Sequence, residues 1–331
     1  MSLTKKFSVA IILLACLAML VGCGRRHDAD EFYVMATANK AIPYWQTASA
    51  GFIEAARQAG VKSEVIGPDN YDPNAEKDEF HKVLSKKPTA IIISAADPEL
   101  MKPEIDAAIA QGIPVITIDT DSPASNRLFF MGTNNYQAGT IAAQVAAKQL
   151  NGKGNVVIFT MPNQINLEER MHGYKDVFEK NPGIKIVRVI DMKGDPRIVF
   201  DQTQAILDKK EPIDGFICLE AQGGPEVATV LQNNKVTGKV VAAFDTDDKT
   251  LEGVKNGIIA ATVAQKPYTM GYLGVKLADD YYHSKADIAK MASTKGPLSP
   301  LPAFVDTGAT LVDKTNVDEI MREIQGAQQK K

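Results

Sequence analysis
The chain has 331 residues, 45% of them hydrophobic and 23% charged, with a formal net charge of −3. A chain this apolar and this long buries a substantial core, and its length favours two lobes over one. A mildly acidic chain without a basic cluster carries no nucleic-acid footprint.

The first element is a targeting segment. Lys5 and Lys6 precede an apolar run over residues 7–19, the layout of an export signal whose hydrophobic core is too short to span a bilayer comfortably. Leu20-Val21-Gly22-Cys23 follows and resembles the lipobox of bacterial lipoproteins, which implies cleavage after residue 22 and acylation of the Cys23 sulfur. Removing residues 1–22 deletes two lysines and no acid, so the mature chain is more acidic still. Residues 23–31 are polar and charged and suit a tether, so the folded body is expected to begin at about residue 32.

Short β-rich runs then alternate with helical patterns. Runs 32–36, 63–66, 90–94, 114–118 and 128–131 read as strands. Between the first two, Trp45, Ala48, Phe52, Ala55, Ala56 and Ala59 recur at helical spacing and Gly60 supplies a stop. A second helix begins at Pro73, with Phe80, Val83 and Leu84 on one face, and a third covers 98–110. The rhythm restarts after Asn134-Asn135, with helices near 136–150, 168–180, 196–207, 225–233 and 249–256 and strands at 156–160, 185–190, 214–219 and 240–244. Pro267 opens one more helix directly after Gln265, and residues 325–331 read as a solvated tail.

Repeated β-α units imply parallel sheets with right-handed crossovers and helices on both faces. The expected fold is α/β: two Rossmann-like lobes with parallel sheets joined by hinge strands. The expected division is a signal peptide over 1–22, a tether over 23–31, an N-terminal lobe from 32–133 plus 266–297, and a C-terminal lobe from 134–265 plus 298–325. Ligands of open α/β sheets bind beyond the carboxyl ends of strands, so polar residues just past strand ends are the site candidates.

Enzyme chemistry finds little support. Cys218 stands alone in an apolar run and reads as a small buried hydrophobe. His27, His81, His172 and His283 are scattered, with no partner at ligand spacing, so neither a metal site nor a Ser-His-Asp arrangement is expected, nor any cofactor.

Several segments, taken in order, carry a specific resemblance. They are Ile42-Pro43-Tyr44-Trp45, the strand ending in Asp119, Gly132-Thr133-Asn134-Asn135, Glu169-Arg170 before Gly173-Tyr174, Phe244-Asp245, and the run 260–265 ending in Gln265. Over nearly its whole mature length the chain resembles the type I periplasmic sugar-binding proteins of the ribose-binding type, which share their core with the ligand domain of LacI-type repressors. The resemblance implies a solute-binding lipoprotein of an ABC transporter, not an enzyme. It would be exported and lipid-anchored, facing the periplasm or cell exterior, monomeric, and would hand a small neutral solute, expected to be a monosaccharide, to a permease.

The implied ligand-binding residues are Tyr44, Trp45, Asp119, Asp121, Asn135, Arg170, Glu220, Gln222, Asp245 and Gln265. Tyr44 and Trp45 offer flat area for a sugar's C–H face, with core membership of the helix as the competing role. Asp119 and Asp245 can accept hydroxyl hydrogens, Arg170 presents a fork of donors, and Gln265 can do both. Asp121 could face the cleft or cap a turn, and Asn135 could be a helix cap or a ligand contact. Where the family has an asparagine after the strand ending at Leu219, this chain has Glu220, Ala221 and Gln222, and which of them reaches the cleft stays open. Ile42 and Thr120 stand where ribose binders of the family have asparagine and arginine, which argues against ribose itself. The excess of carboxylates disfavours an anion and leaves a cationic or amine-bearing ligand open. A chemosensory or quorum-signal receptor with the same cleft, or a glycoside-processing enzyme, are the alternatives. A DNA-binding regulator would need an N-terminal helix-turn-helix in place of the export signal.

Overall fold
The computed structural model describes residues 27–284 and 301–328. Cys23 and the signal segment lie outside them.

The first lobe alternates strands β1 (Phe32–Ala36), β2 (Lys62–Ile66), β3 (Ala90–Ile93), β4 (Val115–Ile118) and β5 (Phe130–Gly132) with helices α1 (Pro43–Ala59), α2 (Pro73–Leu84) and α3 (Pro98–Ala110). The second repeats the scheme with β6 (Lys153–Thr160), β7 (Gly183–Asp191), β8 (Gly215–Cys218), β9 (Val240–Phe244) and β10 (Ala261–Ala264). Its helices are α4 (Asn135–Gln149), α5 (Ile165–Glu179), α6 (Pro196–Asp208), α7 (Gly223–Asn233) and α8 (Asp248–Lys255). Helix α9 (Pro267–His283), strands β11 (Phe304–Asp306) and β12 (Thr310–Asp313), and helix α10 (Val317–Gln328) complete the described chain.

The strand orders are β11-β5-β4-β3-β1-β2 and β12-β10-β9-β8-β6-β7, so the first five strands of each lobe follow the same order and the lobes differ in the direction of the sixth. Among the described residues all strand pairings are parallel except β10 with β12. A strand covered by helices on both faces is apolar at successive positions. In the first sheet Tyr33, Met35, Ile92 and Ile116 pack toward α1 and α9, while Val34, Ala36, Ile91 and Ile93 pack toward α2 and α3. The second sheet divides likewise: Val156, Ile158 and Phe244 face α4 and α5, and Val157, Phe159 and Phe216 face α6, α7 and α8.

Local chemistry sets the helix ends. Asp72, Asp97, Asn134, Asp195 and Asp247 each accept a hydrogen bond from a backbone N–H of the first turn they precede. Gly60 ends α1 in the left-handed conformation that glycine adopts at least cost.

Two expected boundaries shift. Strand β11 pairs in parallel with β5, so residues 304–306 belong to the first sheet, and the last crossing falls between Asp306 and Thr310 rather than at 297/298. Three residues are too short a strand for periodicity to assign to one sheet or the other. The body also begins before residue 32. Glu31 is buried, and His27 contacts Asp279 in the last turn of α9, so the end of the expected tether is packed against the first lobe.

Candidate ligand-binding cleft
The two sheets turn their carboxyl ends toward each other. In each, the strand order reverses between β1 and β3, or between β6 and β8, which is the switch point where open α/β sheets receive ligands. A cavity of about 70 Å³ lies there, lined from both lobes. It opens toward a groove of about 570 Å³ bordered by the first turns of α1, α7 and α9.

Asp119 and Asp245 occupy equivalent places, one residue past β4 and one past β9. Both have left-handed backbone, with φ of 61° and 70°. Aspartate tolerates this conformation better than β-branched residues do. Each backbone N–H still donates to the neighbouring strand, Asp119 to Met131 O and Asp245 to Val263 O. The turn therefore presents the carboxylate at the strand tip while keeping the sheet paired.

The carboxylates are held by fixed donors. Tyr44 Oη donates to Asp119 Oδ1 at 2.6 Å, and Ser94, Thr120 and Asn166 reach Oδ2 at 3.2–3.4 Å. Gln265 Nε2 donates to Asp245 Oδ1 at 3.1 Å, and its own Oε1 accepts from Thr133 Oγ1 at 2.9 Å. Thr133 directly follows β5 and Gln265 directly follows β10, so this bond ties two interlobe crossings together. Burial raises all three cleft acids above the ordinary carboxylate range despite the nearby Arg170 guanidinium: Asp119 upward, and Asp245 and Glu220 to about 7.

Arg170 is 1% exposed and is the largest fully buried side chain among the described residues. Its Nε donates to Asn135 Oδ1 at 2.9 Å and its Nη1 to Leu219 O at 2.6 Å, and the guanidinium carbon lies 4.2 Å from the Phe244 ring centroid. The remaining nitrogen, Nη2, is buried without a hydrogen-bond partner, as is Asn39 Oδ1 from the opposite lobe. Buried polar atoms are seldom left unpaired. Here an orphan donor and an orphan acceptor belong to residues lining the same cavity.

Of the sequence-derived candidates, Tyr44, Trp45, Asp119, Arg170, Glu220, Gln222, Asp245 and Gln265 line this cavity. Two do not. Asp121 forms a two-pronged ion pair with Arg127 and also accepts from Thr117 Oγ1 and Ser122 N, so its oxygens are used inside the first lobe. Asn135 is neither a helix cap nor a wall residue. Asn134 caps α4, while buried Asn135 donates to Thr133 O and accepts from Arg170, which makes it a positioning residue. Glu220 lines the cavity, but its carboxylate accepts from the backbone N–H groups of Gln222 and Gly223 and so caps α7. Trp45 is 7% exposed and sits edge-on to Tyr44, joining the core and the wall at once.

Sequence reading missed Asn39, Tyr71, Ser94, Met161, Gln164 and Asn166. Asn39 and Ser94 lie one to three residues past β1 and β3, and the strand-end rule applied evenly would have found them. Gln164 and Asn166 sit at the start of α5 and reach across the cleft, Gln164 to Tyr71 Oη at 3.0 Å and Asn166 to Asp119.

The chain matches the periplasmic binding protein domain family over residues 32–286. It is 24% identical over 308 residues to the ribose import binding protein of Bacillus subtilis, covering 85% of this chain and 94% of that protein. Among solved structures it is similar to the arabinose-binding protein AraP of Geobacillus stearothermophilus, at 34% identity and a TM-score of 0.70, covering 88% of this chain and 99% of that one. It is also similar to an ABC transporter solute-binding protein from Burkholderia graminis in complex with D-arabinose, at 31% identity and a TM-score of 0.79, covering 88% and 98%.

Proposed function
The chain belongs to the periplasmic binding protein domain family, and on that premise we propose that it is the solute-binding component of an ABC importer and captures one neutral monosaccharide, of pentose size, between its lobes. The observation that carries this reading is the pair of orphan polar atoms, Arg170 Nη2 and Asn39 Oδ1, on a cavity bounded by Asp119 and Asp245. A sugar hydroxyl both donates and accepts, so one ring can satisfy the guanidinium, the amide oxygen and the carboxylates together. Tyr44 and Trp45 supply the flat wall against which a ring's C–H face packs. The small volume between the two carboxylates suits a single ring.

An anion would satisfy Arg170 but meet Asp119, Asp245 and Glu220 at close quarters. The arabinose named for one similar structure, and the ribose named for the Bacillus subtilis relative, support a pentose. Thr120 follows Asp119 where ribose binders of the resembling type have arginine, which favours a pentose other than ribose.

Calorimetric titration with pentoses, hexoses, amino sugars and polyamines tests the proposal. Saturable one-to-one binding of a pentose, D-arabinose foremost, with a dissociation constant in the micromolar range or below, is the expected result. Polyamine binding with no response to any neutral sugar would overturn it.

In this reading the cleft binds without turning its sugar over, since each cleft carboxylate is engaged by tyrosine, hydroxyl, amide or backbone donors. No release of reducing sugar from a glycoside panel is expected. Export and attachment through Cys23 rest on the Leu20-Val21-Gly22-Cys23 motif. Fatty-acid labelling that persists in Cys23→Ser would count against that anchor.

A further inference from the structure
We propose that His27, Glu31, Asp279 and His283 form a binding site for one divalent transition-metal ion, zinc foremost, that pins the N-terminal segment to the first lobe. The site lies outside the ligand cleft and does not rest on the function assigned to it.

His27 and Glu31 come from the segment that precedes β1, and Asp279 and His283 from the last turn of α9, one helical turn apart. His27 Nε2 lies 2.9 Å from Asp279 Oδ1, and His283 Nε2 lies 3.4 Å from the same oxygen and 3.2 Å from Glu31 Oε2. One ligand atom from each of the four residues falls within 4.8 Å of all the others. A tetrahedral zinc site with nitrogen and oxygen ligands at ~2.0–2.1 Å has edges of about 3.3 Å between ligand atoms. The closest approaches within the cluster bracket that value. The two imidazole rings stand nearly perpendicular, 87° apart with centroids separated by 5.0 Å, and both Nε2 atoms converge on the same carboxylate oxygen instead of stacking.

Outer groups orient the ligands, as they do around metal centres generally. Tyr33 Oη, itself fully buried, donates to Asp279 Oδ1 at 3.0 Å, and the Asp28 N–H donates to Glu31 Oε1 at 2.8 Å, leaving Oε2 facing the histidines. The Glu31 and Asp279 side chains are 2% and 10% exposed, so both carboxylates meet the two imidazoles largely out of water, where hard oxygen and borderline nitrogen donors converge on one point. Zinc fits the mixed nitrogen and oxygen donors, whereas magnesium and calcium prefer all-oxygen sites.

The test uses the full-length chain in detergent, treated with a chelator that is then removed. Zinc titrated in competition with a chromophoric chelator should bind at one equivalent per chain and raise the thermal midpoint. Cobalt(II) in its place should give the intense visible bands of a tetrahedral site. His27→Ala and His283→Gln should each weaken binding at least tenfold, and Tyr33→Phe, which touches no metal, by about 10–100-fold. Sub-stoichiometric zinc, an octahedral cobalt spectrum, or affinity unchanged in the two histidine variants would overturn the proposal. So would a wild-type chain that binds no metal. Should either histidine variant fail to fold, the wild-type stoichiometry, the cobalt spectrum and Tyr33→Phe still decide the matter.

Discussion
At the scale of single residues, Asp245 concentrates the consequences of the cleft. It terminates a strand in left-handed backbone, receives Gln265 and faces the Arg170 guanidinium, yet burial still lifts its carboxyl to about 7. Replacing it with alanine removes a charged acceptor from a buried network and should weaken sugar binding by about 2–3 kcal/mol, roughly 30–150-fold. An unchanged dissociation constant by calorimetry would remove Asp245 from the site. The same raised value makes a statement about stability. The folded protein retains this proton, and that of Glu220, at pH values where the unfolded chain has released both. The native state therefore binds more protons than the unfolded state between about pH 4 and 7, and these two groups lower stability as pH rises through that window. The ligand-free thermal midpoint should fall from pH 5 to pH 8, and Asp245→Asn should flatten the fall.

At the scale of elements, the position of Arg170 depends on how closely α4 and α5 approach. A side-chain carbon added at Gly139 would lie 2.2 Å from the Arg170 backbone oxygen, and one at Gly173 would lie 2.5 Å from the Tyr136 oxygen. The first lobe uses the same device between α1 and α9. There Gly51 faces the Tyr268 oxygen at 2.1 Å and Gly271 the Ala48 oxygen at 2.0 Å. Because the obstructing atoms are backbone, no rotamer change relieves the clash and the helices must separate. Gly139→Val should cost about 1–3 kcal/mol of stability, read as a lower denaturant midpoint. It should also reduce sugar affinity in the surviving folded protein, since Arg170 would be displaced from Asn135 and Leu219. Affinity retained alongside lost stability would show that the guanidinium is positioned independently of this helix pair.

At the scale of the whole molecule, the lobes touch across the cleft through polar contacts. Gln164 reaches Tyr71, Asn166 reaches Asp119, and a side-chain carbon at Gly194 would come within 2.5 Å of Tyr71. A ligand that completes both halves of the pocket favours this closed arrangement by its differential affinity for it. Small-angle scattering should therefore show a smaller radius of gyration with saturating sugar than without. Gln164→Ala, which removes one bond across the mouth and no wall carboxylate, should weaken apparent affinity about threefold to tenfold. An unaltered radius of gyration on saturation would indicate that the lobes are already closed without ligand.

The amino-acid sequence by itself determined the α/β rhythm and the two-lobe repeat, because apolar strands and amphipathic helices write local periodicities into the chain, and eight of the ten residues it offers as ligand-binding line one cavity. The rule that ligands gather past strand ends then singles out Asp119, Asp245 and Gln265 without coordinates. Only the folded arrangement decided the rest. Asp121 was lost to Arg127 six residues on, and Asn135 to Arg170 thirty-five residues on, because a short polar side chain bonds to whichever partner folding brings nearest. The return of β11 to the first sheet lies beyond local reading for a related reason: three residues carry too little pattern to name their neighbour. His27 and Asp279 stand 252 residues apart, and so do Glu31 and His283. Spacing along the chain reveals a cluster only when its members share an element, and these four share one only in pairs, so the packing of α9 against the start of the body is what assembles them.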